Sequence, residues 1–471
     1  MEKNKSIAIL GAGLAGLACA CRLSELGYKN ISIIEKESFA GGLAISIQYK
    51  GFSSDLGPHR ISASIPQAVD FLNRQMGEDL ITCRRRSHML LDGRMIVYPP
   101  RLMNTLSHFG LLKIARFAGS FFSTRLGRLF SPPQEESFET LMQKSFGCAL
   151  YNKIVKPYTE KTWKMPAAEL SPDVAKARVS AGGLAALARR LFLREQKGRE
   201  TSLQEFYYIK GGIKNLSQRL KEHLEKRGVQ FLFNCGVKKM LMNSNGGWKI
   251  SCNGKNGNEE VCADFCFSTI PVPELVDAVS AHEAKQAAAA LEYLAMALVF
   301  VLVDRPRISE DTWLYFPEPS LIFNRGYESK NFDEMMSRKH RTIICLEVTM
   351  RANDGMWNQN DSWFASRVCK DLASTGLVKV NEIMDTYVSR LAHAYPIYRR
   401  GYEARLDEIF SHLQKFPNLI TLGRQGLFHH NNMDHSIYEG ILAADYLDSK
   451  KEAAAAWYRD AGQFRNLRIV D

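Results

Sequence analysis

The chain has 471 residues, of which 45% are hydrophobic and 24% are charged, a composition that excludes a largely disordered protein. Its formal charge of +12 favours anionic partners, but no nucleic-acid-binding motif accompanies that charge, so we expect no nucleic acid partner. The 10 cysteines include no CxxC pair, which argues against a zinc site or a disulfide framework. The opening MEKNK leads into a strand pattern without the apolar core of a signal peptide, so we expect a cytoplasmic location. We predict no metal site.

The N-terminal segment has the pattern of a strand, a helix and a second strand. The apolar run Ile7–Leu10 is followed by Gly11, Gly13 and Gly16 in Gly-x-Gly-x-x-Gly spacing, and a second apolar run ends at Glu35. These glycines suit a tight turn, the approach of a pyrophosphate and close packing of the helix on the strand. Glu35 would accept hydrogen bonds from ribose hydroxyls and would repel a 2′-phosphate. The segment therefore predicts a site for FAD or NAD rather than NADP.

A double glycine, Gly41 and Gly42, follows this unit and leads into FSSDLGPHRI at 52–61. This order resembles the flavoprotein superfamily of amine oxidases, protoporphyrinogen oxidase and UDP-galactopyranose mutase, in which the double glycine crosses near the flavin. The resemblance implies FAD as the cofactor. Because no second Gly-x-Gly-x-x-Gly lies in such a unit, we expect no separate NAD(P)H site.

The next hundred or so residues are predicted to be mainly helical. Between Leu111 and Phe130, apolar side chains alternate with basic ones, as in a basic amphipathic helix. The helix could pack with a solvated face, or segment 111–130 could contact a polyanion or a membrane surface. In the latter case the protein would lie at the inner face of the membrane.

Later patterns give the domain organisation. Residues ~275 to 400 contain several strand patterns, which are typical of an inserted sheet domain. One of them, the apolar run Leu294–Val303, has about half of the ~20 residues that a bilayer-spanning helix requires, so we predict a buried strand. In the superfamily that the chain resembles, the segment around Val237 returns to the adenine side of the cofactor. We predict an α/β protein with a FAD-binding Rossmann-type (glutathione reductase-like) domain, an inserted antiparallel-sheet substrate domain and a helical subdomain. The expected divisions are 1–97, 203–273 and 405–450 for the cofactor domain, 98–202 for the helical subdomain, 274–404 for the substrate domain and 451–471 for a C-terminal tail.

A polar loop near the end of the chain, GRQGLFHHNNMDHS, follows a strand and a glycine turn and leads into a helix predicted to begin around Asp434 or Ser436. The N-terminus of that helix would stabilise negative charge at the N1/O2 edge of a reduced flavin. The loop is similar to Gly-Arg-x-Gly-x-Tyr-x-Tyr-x-Asp-Met-Asp of the UDP-galactopyranose mutases, without a gap. The resemblance implies that Arg424 lies at the flavin edge and that Met433 and Asp434 form a flavin-binding turn.

Further blocks similar to those mutases extend the resemblance over the whole chain. They lie at 57–59, 156–163, 207–213, 323–332, around Glu347 and at 394–398. The resemblance implies that Arg325 binds a diphosphate, although an ordinary ion pair is the alternative. The candidate substrate-binding residues are Arg325, Arg178, Tyr207, Trp163, Tyr395 and Tyr398, and the four aromatic ones could equally be core residues.

The chain also departs from the mutase pattern. Ser62 replaces a second histidine, His430 replaces a phosphate-binding tyrosine, and Gly182 replaces one of two arginines, leaving Arg178. These changes remove contacts to a diphosphate and favour a different anionic substrate.

The candidate catalytic residues are His59, His430 and Arg424. An imidazole can take up the proton that accompanies hydride transfer, although His59 could instead be a packed residue that holds the flavin loop. His429 and His435 are expected to cap a helix or face solvent.

Two enzymatic functions and one binding function fit this sequence. An FAD-dependent oxidoreductase would pass hydride from a sugar-derived or other anionic small molecule to flavin N5. A redox-neutral mutase would use the reduced flavin as a nucleophile at an anomeric carbon. A non-catalytic FAD-binding protein is the third possibility, and the oligomeric state stays open.

Overall fold

The structure is a computed structural model, which describes residues 3–98, 102–129, 136–178, 205–254 and 257–467. The described strands are β1 Ser6–Leu10, β2 Asn30–Ile34, β3 Ser46–Tyr49, β4 Phe52–Asp55, β5 Leu80–Arg84, β6 Ser87–Leu91, β7 Arg94–Val97, β8 Glu205–Ile209, β9 Gln230–Leu232, β10 Gly236–Met242, β11 Trp248–Gly254, β12 Gly257–Ala263, β13 Phe265–Ser268, β14 Tyr293–Val303, β15 Trp313–Tyr315, β16 Arg325–Glu328, β17 Thr342–Arg351, β18 Ile383–Pro396 and β19 Leu419–Thr421. The described α-helices are α1 Leu14–Glu25, α2 Pro66–Met76, α3 Leu102–Leu129, α4 Phe138–Phe146, α5 Cys148–Leu150, α6 Lys156–Trp163, α7 Asp173–Arg178, α8 Lys214–Lys226, α9 Val272–Ala278, α10 Lys285–Ala289, α11 Asp361–Ser374, α12 Tyr402–Leu413, α13 Gly423–Gly426, α14 Met433–Ser449 and α15 Ala453–Asp460.

A parallel sheet of five strands forms the centre of the cofactor domain, in the order β19-β13-β1-β2-β9. Strands β1 and β13 are almost wholly buried, as expected for apolar strands that have helices on both faces of a parallel sheet. Three distant chain segments supply these strands: β1 and β2 come from the N-terminal part of the chain, β9 and β13 from its middle and β19 from its C-terminal part. The carboxyl ends of β1, β2, β13 and β19 meet at one edge, where open α/β sheets bind ligands.

Helix α14 packs directly on α1 at this edge. A β-carbon added at Gly440 would lie 2.3 Å from the backbone oxygen of Ala15, so the two helices approach more closely than a larger residue would allow. This contact joins the C-terminal polar loop to the N-terminal glycine turn. The helix begins at Met433, slightly earlier than the sequence pattern predicted.

A second sheet of seven strands, β18-β14-β17-β16-β15-β6-β7, carries the substrate side of the protein. Its strands pair antiparallel except for β15 with β6. The apolar run predicted as a buried strand is β14, and every one of its residues is buried between β17 and β18. The inserted antiparallel sheet is therefore confirmed as an element of the fold.

Two parts of the chain differ from the expected divisions. Strands β6 and β7 fall within segment 1–97 but pair with the second sheet, because the parallel pairing of Trp313 with Ser87 attaches them to β15. In segment 451–467, part of the predicted C-terminal tail, α15 buries Trp457 in the main hydrophobic core. The indole nitrogen of Trp457 donates to the backbone oxygen of Thr421 at 2.8 Å.

In the described part of the chain between β7 and β8, all the α-helices are α3 to α7, in the region predicted to be mainly helical. Between α5 and α6, residues Tyr151–Val155 form a π-helical turn that runs directly into α6. None of the described helices is both long enough and apolar enough to cross a bilayer.

Candidate active site

The turn between β1 and α1 has the geometry of a pyrophosphate cradle. Gly11 has φ +100°, and a β-carbon there would lie 2.3 Å from Oγ1 of Thr269. Gly13 precedes α1 and provides no side-chain cap, so the N–H groups of the first helical turn stay open for an anion. The backbone of Gly11 is also tied to β2 by a hydrogen bond to Ile34 at 2.8 Å.

Glu35 follows β2 and is buried beside this turn. Its carboxylate accepts from the backbone N–H of Ala12 at 2.7 Å and of Glu37 at 2.9 Å. Burial raises the pKa of Glu35, and these two backbone donors oppose the rise. Glu35 thus stands where a carboxylate could meet ribose hydroxyls.

The double glycine closes over the same turn. Gly41 forms a parallel bridge with Gly13, and its N–H donates to the oxygen of Ala12 at 2.8 Å. A β-carbon at Gly42 would lie 3.1 Å from the α-carbon of Gly13. The two backbone segments form a groove that side chains would fill. Val237 lies nearby in β10, because Cys235 donates its N–H to the oxygen of Glu35 at 2.9 Å.

The C-terminal polar loop reaches this groove from the other side. Arg424 lies on the short helix α13, which directly follows β19. Met433 and Asp434 form the first turn of α14, and Asp434 is fully buried. One oxygen of Asp434 accepts from Ser64 at 2.7 Å, and the other is buried without a hydrogen-bond partner among the described residues. The helix N-terminus and an unsatisfied buried oxygen together fit a polar cofactor edge.

An aromatic wall lies beside Arg424. The guanidinium carbon of Arg424 is 4.7 Å from the ring centroid of Tyr395. The ring of His430 stacks on Tyr395 at 5.8 Å, and it meets Trp163 at 5.2 Å and Tyr398 at 4.7 Å. Three predicted site residues, Trp163, Tyr395 and Tyr398, therefore meet around one histidine.

Arg325 extends this wall, but it has an internal counter-ion. Its guanidinium makes two hydrogen bonds with the carboxylate of Glu347, at 2.9 and 2.8 Å, and donates to the hydroxyl of Tyr395 at 3.1 Å. Residues Arg325 and Glu347 are paired across β16 and β17. The structure thus shows the ion pair that was the alternative to diphosphate binding, while Arg325 keeps 21% of its side chain exposed.

His59 lies on the loop after β4. Its Nε2 is buried and has no hydrogen-bond partner among the described residues. Burial, and then the positive charge of Arg424, lower the pKa of His59 to about 4, while hydrogen bonds with the backbone of Leu43 and Leu56 oppose the fall. Arg325 lowers the pKa further, which means that both arginines act electrostatically on this imidazole. His59 is neutral near pH 7.

The histidines of the polar loop have other environments. The Nε2 of His430 lies 2.9 Å from the backbone oxygen of Pro396, and its backbone N–H donates to the hydroxyl of Tyr398 at 2.7 Å. His435 accepts from the N–H of Asn432, as expected for a capping residue. His429 neither caps a helix nor faces solvent, because it is buried against Glu439 at 3.3 Å.

Two predicted substrate residues lie apart from this cluster. The backbone of Arg178 ends α7, while its side chain falls outside the described part of the chain, as does Gly182. Tyr207, in β8, bridges Ile61 and packs against the main core, on the side of the His59 loop.

No role was predicted for Glu347, although its carboxylate contacts Arg325 directly. A carboxylate inside the apolar run TIICLEVTM is a signal that could have revealed it, because a buried charge requires a partner. Ser62 is buried and lies close in sequence to His59, in the position where the mutases have their second histidine.

Comparisons with known proteins agree with this arrangement. The family described as flavin containing amine oxidoreductase matches residues 14–447. Protoporphyrinogen oxidase of Nicotiana tabacum is 25% identical over 36% of this chain and 31% of its own length. The 1-hydroxycarotenoid 3,4-desaturase of a Flavobacterium species is 27% identical over 51% of this chain and 52% of its own. A probable UDP-galactopyranose mutase of Klebsiella pneumoniae is 26% identical over 37% and 44%, so the matches span about a third to a half of these relatives.

Solved structures share the whole fold. The reduced UDP-galactopyranose mutase superposes with a TM-score of 0.82 at 23% identity, over 99% of this chain and 98% of that one. A putative protoporphyrinogen oxidase from an Exiguobacterium species superposes with a TM-score of 0.74 at 19% identity, over 95% and 99%. The groove beside Gly13 and Gly42, the open N-termini of α1 and α14 and the carboxylate of Glu35 fit FAD, which is the cofactor of this chain. The chain belongs to the flavin containing amine oxidoreductase family.

Proposed function

We propose that this protein is an FAD-dependent oxidoreductase that removes a hydride from a sugar-derived or otherwise anionic small molecule. The observation that carries the proposal is the convergence of Arg424, Arg325 and the neutral His59 beside one aromatic wall. Two cations would bind the anionic group, the wall would hold the apolar face of the substrate, and His59 would receive a proton.

The charges support a substrate with less negative charge than a diphosphate. Glu347 already neutralises much of the charge of Arg325, because its almost wholly buried carboxylate accepts two hydrogen bonds from the guanidinium. His430 stands where the mutases have a phosphate-binding tyrosine, and its Nε2 is engaged with Pro396. A carboxylate or a single phosphate would balance the remaining cation better than a diphosphate would.

His59 suits the proton transfer better than His430 does. Oxidation of an alcohol or amine releases a hydride from carbon and a proton from oxygen or nitrogen, so a base must accept that proton. Among the residues that the structure describes, Nε2 of His59 has no hydrogen-bond partner, whereas Nε2 of His430 lies within hydrogen-bond distance of the carbonyl oxygen of Pro396. An anion bound between the arginines would offset their charge and raise the pKa of His59 towards its ordinary range. Substrate binding would thereby make His59 a stronger base.

A redox-neutral mutase is the second candidate, and the likeness to a reduced UDP-galactopyranose mutase over nearly the whole chain favours it. When bound, FAD supplies a two-electron acceptor in the first reaction and, in its reduced form, a nucleophile in the second. The residues of this chain would have similar roles in the two reactions, since each reaction needs an anion held over the cofactor.

The test is anaerobic mixing of the FAD-loaded protein with sugar acids, sugar phosphates and nucleotide sugars. Bleaching of the oxidised-flavin absorbance by one of these compounds, without added reductant, is the expected result. Turnover that requires prior reduction with dithionite and consumes no reductant would overturn the proposal in favour of the mutase. A protein that shows neither behaviour would be a binding protein.

An arginine variant provides the matched control. Arg424→Met should weaken the response to the effective compound, whereas Arg459→Met should not, because the side chain of Arg459 is 74% exposed and lies at the end of α15.

A further inference from the structure

Helix α3 has several large apolar side chains that are exposed to solvent. Leu111, Leu112, Phe122 and Leu126 are 85%, 90%, 69% and 60% exposed, respectively. Single exposed apolar residues are ordinary on protein surfaces, but a contiguous group marks an interaction site. We call this group the α3 outer face.

The spacing places this group on one stripe. Leu111, Ala115, Ala118, Phe122 and Leu126 recur at intervals of three or four residues, which puts them on the same side of an α-helix. Leu112, one residue after Leu111, lies about 100° around the helix, at the border of this stripe. The kink at Gly110, where φ is +73°, separates this stripe from the preceding helical turns. The stripe is therefore continuous from the kink towards the end of the helix.

The opposite side of α3 is fixed to the protein, so the outer face cannot turn inward. The hydroxyl of Ser120 accepts from the N–H of Ala149 at 2.9 Å, and that of Thr124 accepts from the N–H of Cys148 at 3.3 Å. A β-carbon at Gly147 would lie 2.7 Å from the α-carbon of Phe121, so the helix is seated closely on the start of α5. The exposure of the stripe is thus a consequence of how α3 is held.

The charge around the stripe is of one sign. Helix α3 contains Lys113, Arg116, Arg125 and Arg128 and no aspartate or glutamate. Lys113, Arg116 and Arg125 are exposed, and none of the ion pairs found between described residues involves them. Counted at 100° per residue, Arg116 and Arg125 lie on opposite borders of the stripe. The apolar band is therefore flanked by cations on both sides.

An exposed apolar stripe with cations on both borders indicates which kind of partner binds the α3 outer face. A second copy of the same face would bring these cations together without a carboxylate to pair with them, which is unfavourable. An anionic lipid surface offers both an apolar layer for the stripe and negative headgroups for the flanking cations. We propose that the α3 outer face docks this protein on an anionic membrane surface, with the helix lying in the plane of the interface. Docking of this kind is peripheral, because the helix lies in the plane of the interface and does not cross the bilayer.

The experiment is sedimentation of the full-length, FAD-loaded protein with vesicles. One set contains phosphatidylcholine alone, and the other contains equal parts of phosphatidylcholine and phosphatidylglycerol. We expect binding to the anionic vesicles to be at least about tenfold tighter, and to weaken as salt rises from about 0.05 M to about 0.5 M.

Two variants separate the apolar and the charged contributions. Leu112→Ser with Phe122→Ser should abolish vesicle binding, and Arg116→Gln with Arg125→Gln should weaken it by about tenfold or more, because each cation near an anionic surface contributes about fivefold in affinity. Met335→Ser with Val380→Ser is the matched control, since these apolar side chains are also exposed, at 70% and 74%, but lie outside α3. FAD content and thermal unfolding of each variant show whether it is folded.

Several results would overturn the proposal. One is absence of vesicle binding by a folded wild-type protein, and another is equal binding by the wild type and the α3 variants. A dimer in sedimentation velocity that the Leu112→Ser, Phe122→Ser variant dissociates, with no vesicle binding, would assign the face to a second copy. Tight binding to DNA or RNA in place of vesicles would assign it to a polyanion.

Discussion

Arg424 lies with its guanidinium carbon 4.7 Å from the ring centroid of Tyr395. The hydroxyl of the same tyrosine accepts a hydrogen bond from Arg325 at 3.1 Å, so one side chain contacts both cations of the candidate site. The face of an aromatic ring attracts a cation, by about 0.5 to 2 kcal/mol depending on exposure. Tyr395 thus positions two charges that lie about a hundred residues apart in the sequence.

The first prediction concerns the effect of Arg424 on the bound cofactor. Removal of a cation disfavours the reduced, more negative flavin, so Arg424→Met should lower its two-electron reduction potential by about 30 mV or more. Equilibration with redox dyes measures the reduction potential of the bound flavin. Tyr395→Phe keeps the ring beneath Arg424 and should leave the potential within about 10 mV of the wild type. An unchanged potential in Arg424→Met would place the arginine away from the flavin.

The second prediction separates binding from folding within the glycine turn. A β-carbon at Gly13 would have no neighbour closer than 3.9 Å, whereas one at Gly16 would lie 2.2 Å from the oxygen of Gly11. Gly13→Ala should therefore fold normally and lose FAD, since the methyl group occupies space that the pyrophosphate needs. Gly16→Ala should lose stability, by about 2 kcal/mol or more, because backbone must shift. Flavin absorbance and thermal unfolding of the apoproteins test both, and full FAD content in Gly13→Ala would contradict the predicted site.

The third prediction is the pH dependence of stability that His59 confers. In the unfolded chain this imidazole has its ordinary pKa of 6.5, and in the folded protein the pKa is about 4. Between these values the unfolded state binds a proton that the folded state does not, so stability is lost as pH falls from about 6.5 to about 4. The loss amounts to roughly 3 kcal/mol at most.

Denaturant unfolding of the wild type and His59→Gln over this pH range is the measurement. The variant should lose less stability on acidification than the wild type does. His340→Gln, at an exposed position, serves as the control and should follow the wild type. Parallel curves for wild type and His59→Gln would show that the imidazole is not shielded from water.

The fourth prediction distinguishes a proton acceptor from a wall residue. His59→Gln should keep FAD and slow anaerobic flavin reduction by about 10²-fold or more, because glutamine cannot accept the proton that the proposed mechanism passes to this imidazole. His430→Ala should also slow reduction with FAD content unchanged, through loss of the ring between Trp163 and Tyr395. His430→Phe should restore most of the rate, since a phenyl ring rebuilds the wall. Failure of phenylalanine to restore it would make His430 the base.

The local parts of this protein followed from the sequence. The unit from β1 to Glu35 is contiguous, so its strand, turn, helix and acidic residue could be read from spacing alone. The apolar run that became β14 was equally clear, because a strand buried on both faces has no polar alternation. The tight glycine turn and the open helix N-terminus are likewise properties of neighbouring residues.

The tertiary structure determined the features that depend on contacts between residues far apart in the sequence. The sequence could propose Arg325 as an anion-binding residue, but only the register of β16 on β17 sets Glu347 against it. Likewise, strands β6 and β7 belong to the second sheet only because β6 pairs with β15. The packing of the polar loop buries His429 against Glu439. Hydrogen-bond register and long-range packing fix which charges become neighbours, and neither is encoded in local periodicity. The cofactor site was therefore determined largely by sequence, whereas the charge balance of the substrate pocket was determined by the fold.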